Sequence, residues 1–379
     1  MKTGLVFSEI KEKIPDLIRT LFQHIPCGVG IGGAIPKLSR QDVRRVLGQG
    51  ARWAVENGFG SASDLDTMEE NGVLKNAAPE TVSDVAIERG SKQLGTLGSG
   101  NHFLEVDRVE EIYLPEIAAR CGLVPDGIVF IIHSGSRGLG YQVCEDHLGV
   151  MDKAMKRYQI DVPDRQLACA PIQSEEGQTY LSAMAAAANF AWCNRQVMMA
   201  LAERSFLEAL KISPRQLQCR LVYDVCHNIA KMETHRVDKK MMNVCVHRKG
   251  ATRAFGPGHD DVPQIYRDMG QPVLIPGDMG RGSYLLVGTS AAMEKTFGST
   301  CHGAGRVMSR SQSKKISRGR NLVEEMRNQG VSVMFHGRNT LAEEMPHAYK
   351  YVGDVVDVMQ EAGVSLKVAK FRPLGVIKG

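Results

Sequence analysis

The chain has 379 residues, 43% of them hydrophobic and 23% charged, with a formal net charge of +5. This is the composition of a globular protein with material for one large domain or two ordinary ones, and no apolar run approaches the roughly 20 residues that cross a bilayer. The nine cysteines are scattered, odd in number and never spaced C-x-x-C, which excludes a disulfide framework and a zinc ribbon and predicts reduced thiols.

The opening "MKTGLVFSEIKEKIPD" has too short and interrupted an apolar stretch for a secretory leader, so the cytoplasm is the expected setting. "SEIKEKIPDLIRTLFQHI" has helical spacing behind a cap at Ser8, and "RQDVRRVLGQGARWAVENG" repeats the pattern up to Gly58. "DGIVFIIHSG", rich in isoleucine and valine and bounded by glycines, reads as a buried strand. Thr179 to Leu210 is alanine-rich and helical, and strands are expected at "CRLVYDVC", "MMNVCVHR", "PVLIP" and "SYLLVG". Helices over "NLVEEMRNQG" and "YKYVGDVVDVMQEAG" precede a closing strand, "SLKVAKFRPLGVIKG". No repeat or linker divides the chain, so residues 1–379 are expected to form a single α+β domain with a mixed or antiparallel β core flanked by helices.

Three histidines share one context. His102 follows a Gly-Ser-Gly turn in "LGSGNHFLEV", His133 ends the strand of "IIHSGSRGLG", and His227 stands just after a predicted strand in "YDVCHNIAK". Imidazoles at strand ends can converge on one point, and neutral histidine is a common ligand of first-row metals. A single such histidine is more often a hydrogen-bonded core residue; the repeated context favours a shared site. His235, in a charged helix or loop, "KMETHRVDKK", and His247, at a basic strand end, read as decoys outside that site.

"GSTCHGAGRVMSR" (298–310) sets His302 between a cysteine and a Gly-Ala-Gly, ahead of arginines. Cys301 and Arg306 are separated by four residues, one short of the C-x₅-R phosphatase loop. Neither a Walker sequence nor a dinucleotide fingerprint is present. His302 is left as the nucleophile: an imidazole attacking the α-phosphorus of a nucleoside triphosphate, with amides of Gly303–Gly305 at a helix start helping to hold phosphate. The run 305–320 is rich in Lys and Arg and free of acids, which suits polyphosphate or RNA, or a solvated basic face.

Together "LGSGNHFLEV", "HSGSRGLG", "YDVCHNIAK", "HRKGATRAF", "VLIPGDMG", "STCHGAGRVMSR" and "PLGVIKG" closely resemble, in order and spacing, the RtcB family of RNA-splicing ligases. The resemblance implies an enzyme of tRNA splicing and RNA repair. Such an enzyme joins an RNA 3′-phosphate or 2′,3′-cyclic phosphate to a 5′-hydroxyl, using GTP and two manganese ions. It implies that His302 carries covalent GMP and that His102, His133 and His227 are metal ligands. The nucleotide would lie against Asn101, His102, Phe103, Leu104, Glu105, His227, Asn228, Pro276, Gly277, Asp278, Met279, Ser283, Gly303, Ala304 and Gly305, with Tyr349 and Lys378 around the guanine. RNA is the implied partner, with an archease-type helper, and neither a membrane nor DNA.

Two departures stand out. Asp278 occupies a position where the family typically has serine, and a carboxylate there repels phosphate unless it faces a metal or Arg281. The family also carries an N-terminal segment of roughly a hundred residues, the size of a domain piece, ending in Asp-x-x-Cys-Gly, which supplies two further metal ligands. No such motif occurs in these residues, and Cys27 in "HIPCGVG" lacks the acid. The expectation is a shortened member retaining three metal-binding histidines; the alternatives are an RNA-binding fragment with impaired catalysis and a three-histidine phosphoesterase.

Overall fold

The computed structural model describes residues 1–379, apart from the side chain of Arg338. Its centre is a seven-stranded sheet in the order β1-β3-β2-β11-β8-β7, formed by Lys2–Val6 (β1), Phe103–Ile112 (β2), Gly127–His133 (β3), Pro272–Asp278 (β7), Gly282–Gly288 (β8) and Ser365–Lys378 (β11). The seventh strand, Ser332–Phe335 (β10), pairs with the end of β11 in parallel; the other pairings are antiparallel. Two small antiparallel pairs lie apart: Asn228–Val237 (β4) with Lys240–Lys249 (β5), and Ala251–Arg253 (β6) with Ser299–Cys301 (β9). The fold is α+β, as expected.

The central strands are apolar on both faces because both faces are covered. Ile128 and Phe130 of β3 pack with the helices Ile14–His24, Arg40–Gln49 and Glu175–Leu210, while Val129 and Ile131 face a second core with Val109, Phe371 and Val376. This is the origin of the unbroken run in "GIVFIIH". The 36-residue helix Glu175–Leu210 is capped by Ser174, whose hydroxyl accepts from Gly177 N, and stops at Lys211 in the left-handed region. Its alanines, including Ala183 and Ala186, are fully buried and let neighbouring helices approach closely. Among the described residues no helix is long and apolar enough to cross a membrane.

Several sequence expectations change. The helix expected from Ser8 is interrupted: a turn over Phe7–Ile10 and a 3₁₀ segment precede Ile14–His24, which begins with Pro15 in its first turn. The second expected helix divides at Gly50, whose φ of +56° turns the chain between Arg40–Gln49 and Ala51–Glu56. "CRLVYDVC" (219–226) is extended but joins no ladder, touching β1 and Met68 only through isolated bridges at Arg220 and Asp224. His227 therefore precedes a strand, β4, instead of following one. His235 lies within β4, buried and hydrogen-bonded to Glu233 at 2.8 Å, not in a helix or loop. Strand β2 and the helix Arg137–Tyr158 went unread in the sequence.

Candidate active site

Two ladders bring the chemistry together. In β2 and β3, Phe103 pairs with His133, and Lys378 of β11 pairs with Phe103 from the other side. His102, His133 and the penultimate lysine thus share one end of the sheet. In the second assembly Asn228 pairs with Lys249, and two residues later Ala251 pairs with Cys301. His227 and His302, each next to a paired residue, come face to face with ring centroids 4.5 Å apart and planes within 12°. The His133 ring lies 5.0 Å from His227 and 6.0 Å from His102.

The supporting residues carry no motif. Asn194, buried in the long helix, accepts from Gly95 N and Thr96 N and donates to Ser134 and Gly135, clamping the loops beside His102 and His133. Its neighbour Arg195 pairs with Asp224 and donates to Ser134 O. Glu69 accepts from Cys226 N at 2.8 Å and fixes the residue before His227. Arg137 Nη1 lies 3.1 Å from His102 Nδ1, leaving Nε2 as the nitrogen not engaged there.

Burial keeps these imidazoles uncharged. Desolvation, reinforced by Arg137, lowers the pKa of His102 to about 3. Desolvation and the neighbouring His302 lower His227 to about 4. His133 and His302 are also depressed, chiefly by burial. Nδ1 of His227 and Nδ1 of His302 are buried without a hydrogen-bond partner. Neutral imidazoles with unengaged nitrogens are the chemistry of a metal ligand or a nucleophile. Among the described residues, no three His, Cys, Asp or Glu side chains converge into a ready-made metal cage.

A cavity of about 230 Å³ opens beside His302. It is lined by Asn101, Phe103, Pro276–Met279 and Gly303–Gly305, and also by Tyr349, Glu344 and Lys378. Glu344 is buried and receives Arg306 (3.2 Å), Lys378 (3.7 Å) and the Tyr349 hydroxyl. Arg306 also lies over the Tyr349 ring at 5.0 Å. Glu105, bonded by the Ser283 hydroxyl at 2.6 Å, is raised by burial to about 7.

Of the residues expected at a nucleotide, Asn101, Phe103, Glu105, Pro276, Gly277, Asp278, Met279, His302, Gly303, Ala304, Gly305, Tyr349 and Lys378 line this cavity, as does His133. His102 and His227 adjoin it through the ring cluster. Leu104 instead points into the hydrophobic core. Ser283 reaches the cavity only through Glu105, and Asn228 is exposed, accepting from Lys249 at 3.3 Å. Gly303–Gly305 do not open a helix: the next one is Arg310–Ile316, and Ala304 N is already given to Pro276 O. Asp278 faces Arg281 at 2.5 Å and accepts from Gly280 N and Arg281 N. Arg281 in turn donates to Pro346 O and Tyr349 O. The unexpected carboxylate is thus a latch between the β7–β8 turn and the Tyr349 loop. Sequence reasoning missed Glu344, Arg306 and Arg310 as lining residues; the arginines stood in the basic run, whereas Glu344 had no signal.

The family model described as tRNA-splicing ligase RtcB matches residues 1–379. The chain is 53% identical over 379 residues to a tRNA-splicing ligase RtcB of Archaeoglobus fulgidus, covering all of this chain and 78% of the relative. It is 50% identical to that of Methanococcus maripaludis, covering 79% of it, and 52% identical over 380 residues to that of Pyrococcus horikoshii, covering 44% of it. Motifs, histidine cluster and full-length match agree: the chain belongs to the RtcB family.

Proposed function

We propose that this chain is a GTP- and manganese-dependent RNA ligase of tRNA splicing, joining 3′-phosphate or 2′,3′-cyclic phosphate ends to 5′-hydroxyl ends through a guanylylated His302. Membership of the family supports RNA ligation in tRNA splicing. The observation that carries the finer chemistry is His302 itself: a neutral imidazole stacked on His227, at the wall of a cavity lined also by Tyr349, Glu344 and Lys378.

In this reading the guanine packs against Tyr349, with carboxylates and the Lys378 amine at its polar edge. A ring nitrogen of His302 attacks the α-phosphorus of GTP; the N–P bond forms as the P–O bond to pyrophosphate breaks. His102, His133 and His227 would hold divalent metal, whose chemistry is to neutralise phosphate charge and ease departure of pyrophosphate. The RNA 3′-phosphate oxygen then takes the guanylyl group and restores His302, a cyclic end having first been opened by water. Attack of the 5′-hydroxyl on the activated 3′-phosphate forms the new diester and expels GMP. RNA ends are the partners, an archease-type helper serves turnover, and the cytoplasm is the setting.

Incubation with labelled GTP and Mn²⁺, followed by denaturing electrophoresis, tests the reading. The expected result is an acid-labile protein–guanylate adduct that disappears in His302→Ala while that variant unfolds at the native temperature. No adduct on the native protein overturns it.

A further inference from the structure

Strands β4 and β5 pair from Asn228↔Lys249 to Val237↔Lys240 and join no larger sheet. Strand alternation gives the ribbon two faces of opposite character. Ile229, Lys231, Glu233 and His235, with Val246 and Arg248 on β5, are buried. Their charges are compensated: Arg248 pairs with Glu233 at 2.5 Å and Lys231 with Glu69 at 2.8 Å. The other face is open, with Met232, Thr234 and Arg236 on β4 and Met241, Asn243 and His247 on β5 all exposed.

The root of this face is the candidate active site. Lys249 donates to Asn228, the residue after His227, and Gly250 lies against the His302 ring. Cations continue outward. Lys249 and Arg236 on this face and Lys239 in the turn are exposed and have no ion-pair partner among the described residues, whereas Lys240, paired with Val237, belongs to the opposite face. The acid accompanying them is Asp238, exposed in the turn. In the basic run 305–320, by comparison, Arg306, Arg310, Lys314 and Arg320 are held by Glu344, Glu343 or Glu325, and Lys315 and Arg318 are left exposed without an ion pair among the described residues. Uncompensated charge is what a polyanion recruits, and on the ribbon it runs outward from the residues beside His227 and His302.

We propose that the open face of the β4–β5 ribbon is a track for the single-stranded RNA leading to the end being joined. The proposal rests on the ligase reading above. At about 3.3 Å per residue, the eight steps from Asn228 to Arg236 give a path of about 26 Å. The cations meet phosphates and fix the strand without reading its sequence. Met232 and Met241 offer polarizable thioethers to base faces, and Asn243, Thr234 and His247 offer donors and acceptors. Contacts to phosphates and base faces predict tolerance of sequence, suited to an enzyme whose substrates are defined by their ends.

The test uses the combined variant Arg236→Gln, Lys239→Gln, at the tip and away from the cavity. Fluorescence anisotropy with a 3′-phosphorylated oligouridylate is followed across salt concentrations. Each single-strand phosphate contact contributes about 0.7 to the slope of log affinity against log salt, so losing two lowers it by about 1.4. Expected results are that lower slope, several-fold weaker binding at low salt, and unchanged labelling by GTP. Joining of dinucleotide ends, too short to reach the tip, stays at the native rate. An unchanged slope with intact GTP labelling overturns the ribbon track alone, whereas absence of GTP labelling in the native chain strikes the ligase reading. If sedimentation shows that the substitutions change self-association in place of RNA affinity, the face is an interface between copies and the proposal is wrong.

Discussion

Glu69 shows how much of the candidate site depends on a residue outside it. Its carboxylate is almost completely buried, accepting from Cys226 N and pairing with Lys231 at 2.8 Å and Arg253 at 3.4 Å. Burial opposes its charge, but the two cations outweigh burial and lower its pKa to about 2. Removing Glu69 leaves two buried cations, Lys231 and Arg253, to share the single, partly exposed carboxylate of Glu70. Glu69→Ala is therefore expected to lose about 3–5 kcal/mol of stability, read from urea unfolding. The pH dependence has a fixed sign. Because the folded pKa lies below the ordinary carboxylate value of 4.5, this contribution is present above that pH and is lost as pH falls towards about 2. Between those values the native protein should lose more stability than Glu69→Gln, which has no carboxylate to protonate. Equal acid sensitivity of the two proteins would remove Glu69 as the source.

The turn joining β7 to β8 makes the same point for an element. At Gly277 an added Cβ would stand 2.1 Å from Gly282 O and 2.7 Å from Val352 Cγ1, where backbone has no room to yield. The register slips between Ile275 and Asp278, so the turn is tight and irregular, and the helix Val352–Glu361 packs against it. Gly277→Ala should cost about 1–3 kcal/mol by overpacking and also weaken labelling of His302, since Gly277 lines the cavity. Gly149→Ala is the control: it lies exposed in the helix Arg137–Tyr158 with open space at its Cβ, so thermal unfolding should show no loss. The contrast between these glycines was invisible in the sequence, because it depends on which distant strand or helix arrives beside each one. What was legible had local causes. The apolar run of β3, the alanine-rich helix from Thr179 on and histidines at strand ends follow from period and composition, whereas the cap at Ser174 and the first turn of that helix were not read. "CRLVYDVC" had strand chemistry but no partner edge, and Gly50 divided a pattern whose spacing continued through it. His302 could be singled out because glycines and arginines surround it in sequence, whereas Glu344 and Asn194 matter only through contacts made across the fold.

Across the whole molecule, the cavity walls come from pieces far apart in the chain. Strand β11 pairs with β2 along one edge and with β8 and then β10 along the other, so the last residues are seated between segments near 103 and 335. The His302 loop is tied in by Ala304 N to Pro276 O, Val307 N to Ala348 O and Lys350 N to Gly305 O. A ligand spanning from His302 to Lys378 would cross-link all of these pieces. Binding only the folded state stabilises it by mass action, about 2.7 kcal/mol at a hundredfold excess over the dissociation constant. It should also suppress the local openings through which loop amides exchange. With GTP and Mn²⁺ present, hydrogen exchange is expected to slow together at Ala304, Val307 and Lys350, with the Phe103–Lys378 pairing protected in parallel and the unfolding temperature raised. In Lys378→Ala the protection should shrink at Lys350 and Phe103 while part of it remains near His302, where phosphates would sit. Protection confined to residues 304–307 in the native protein would mean that the nucleotide does not reach Tyr349 and Lys378, and that this part of the cavity wall serves something other than guanine.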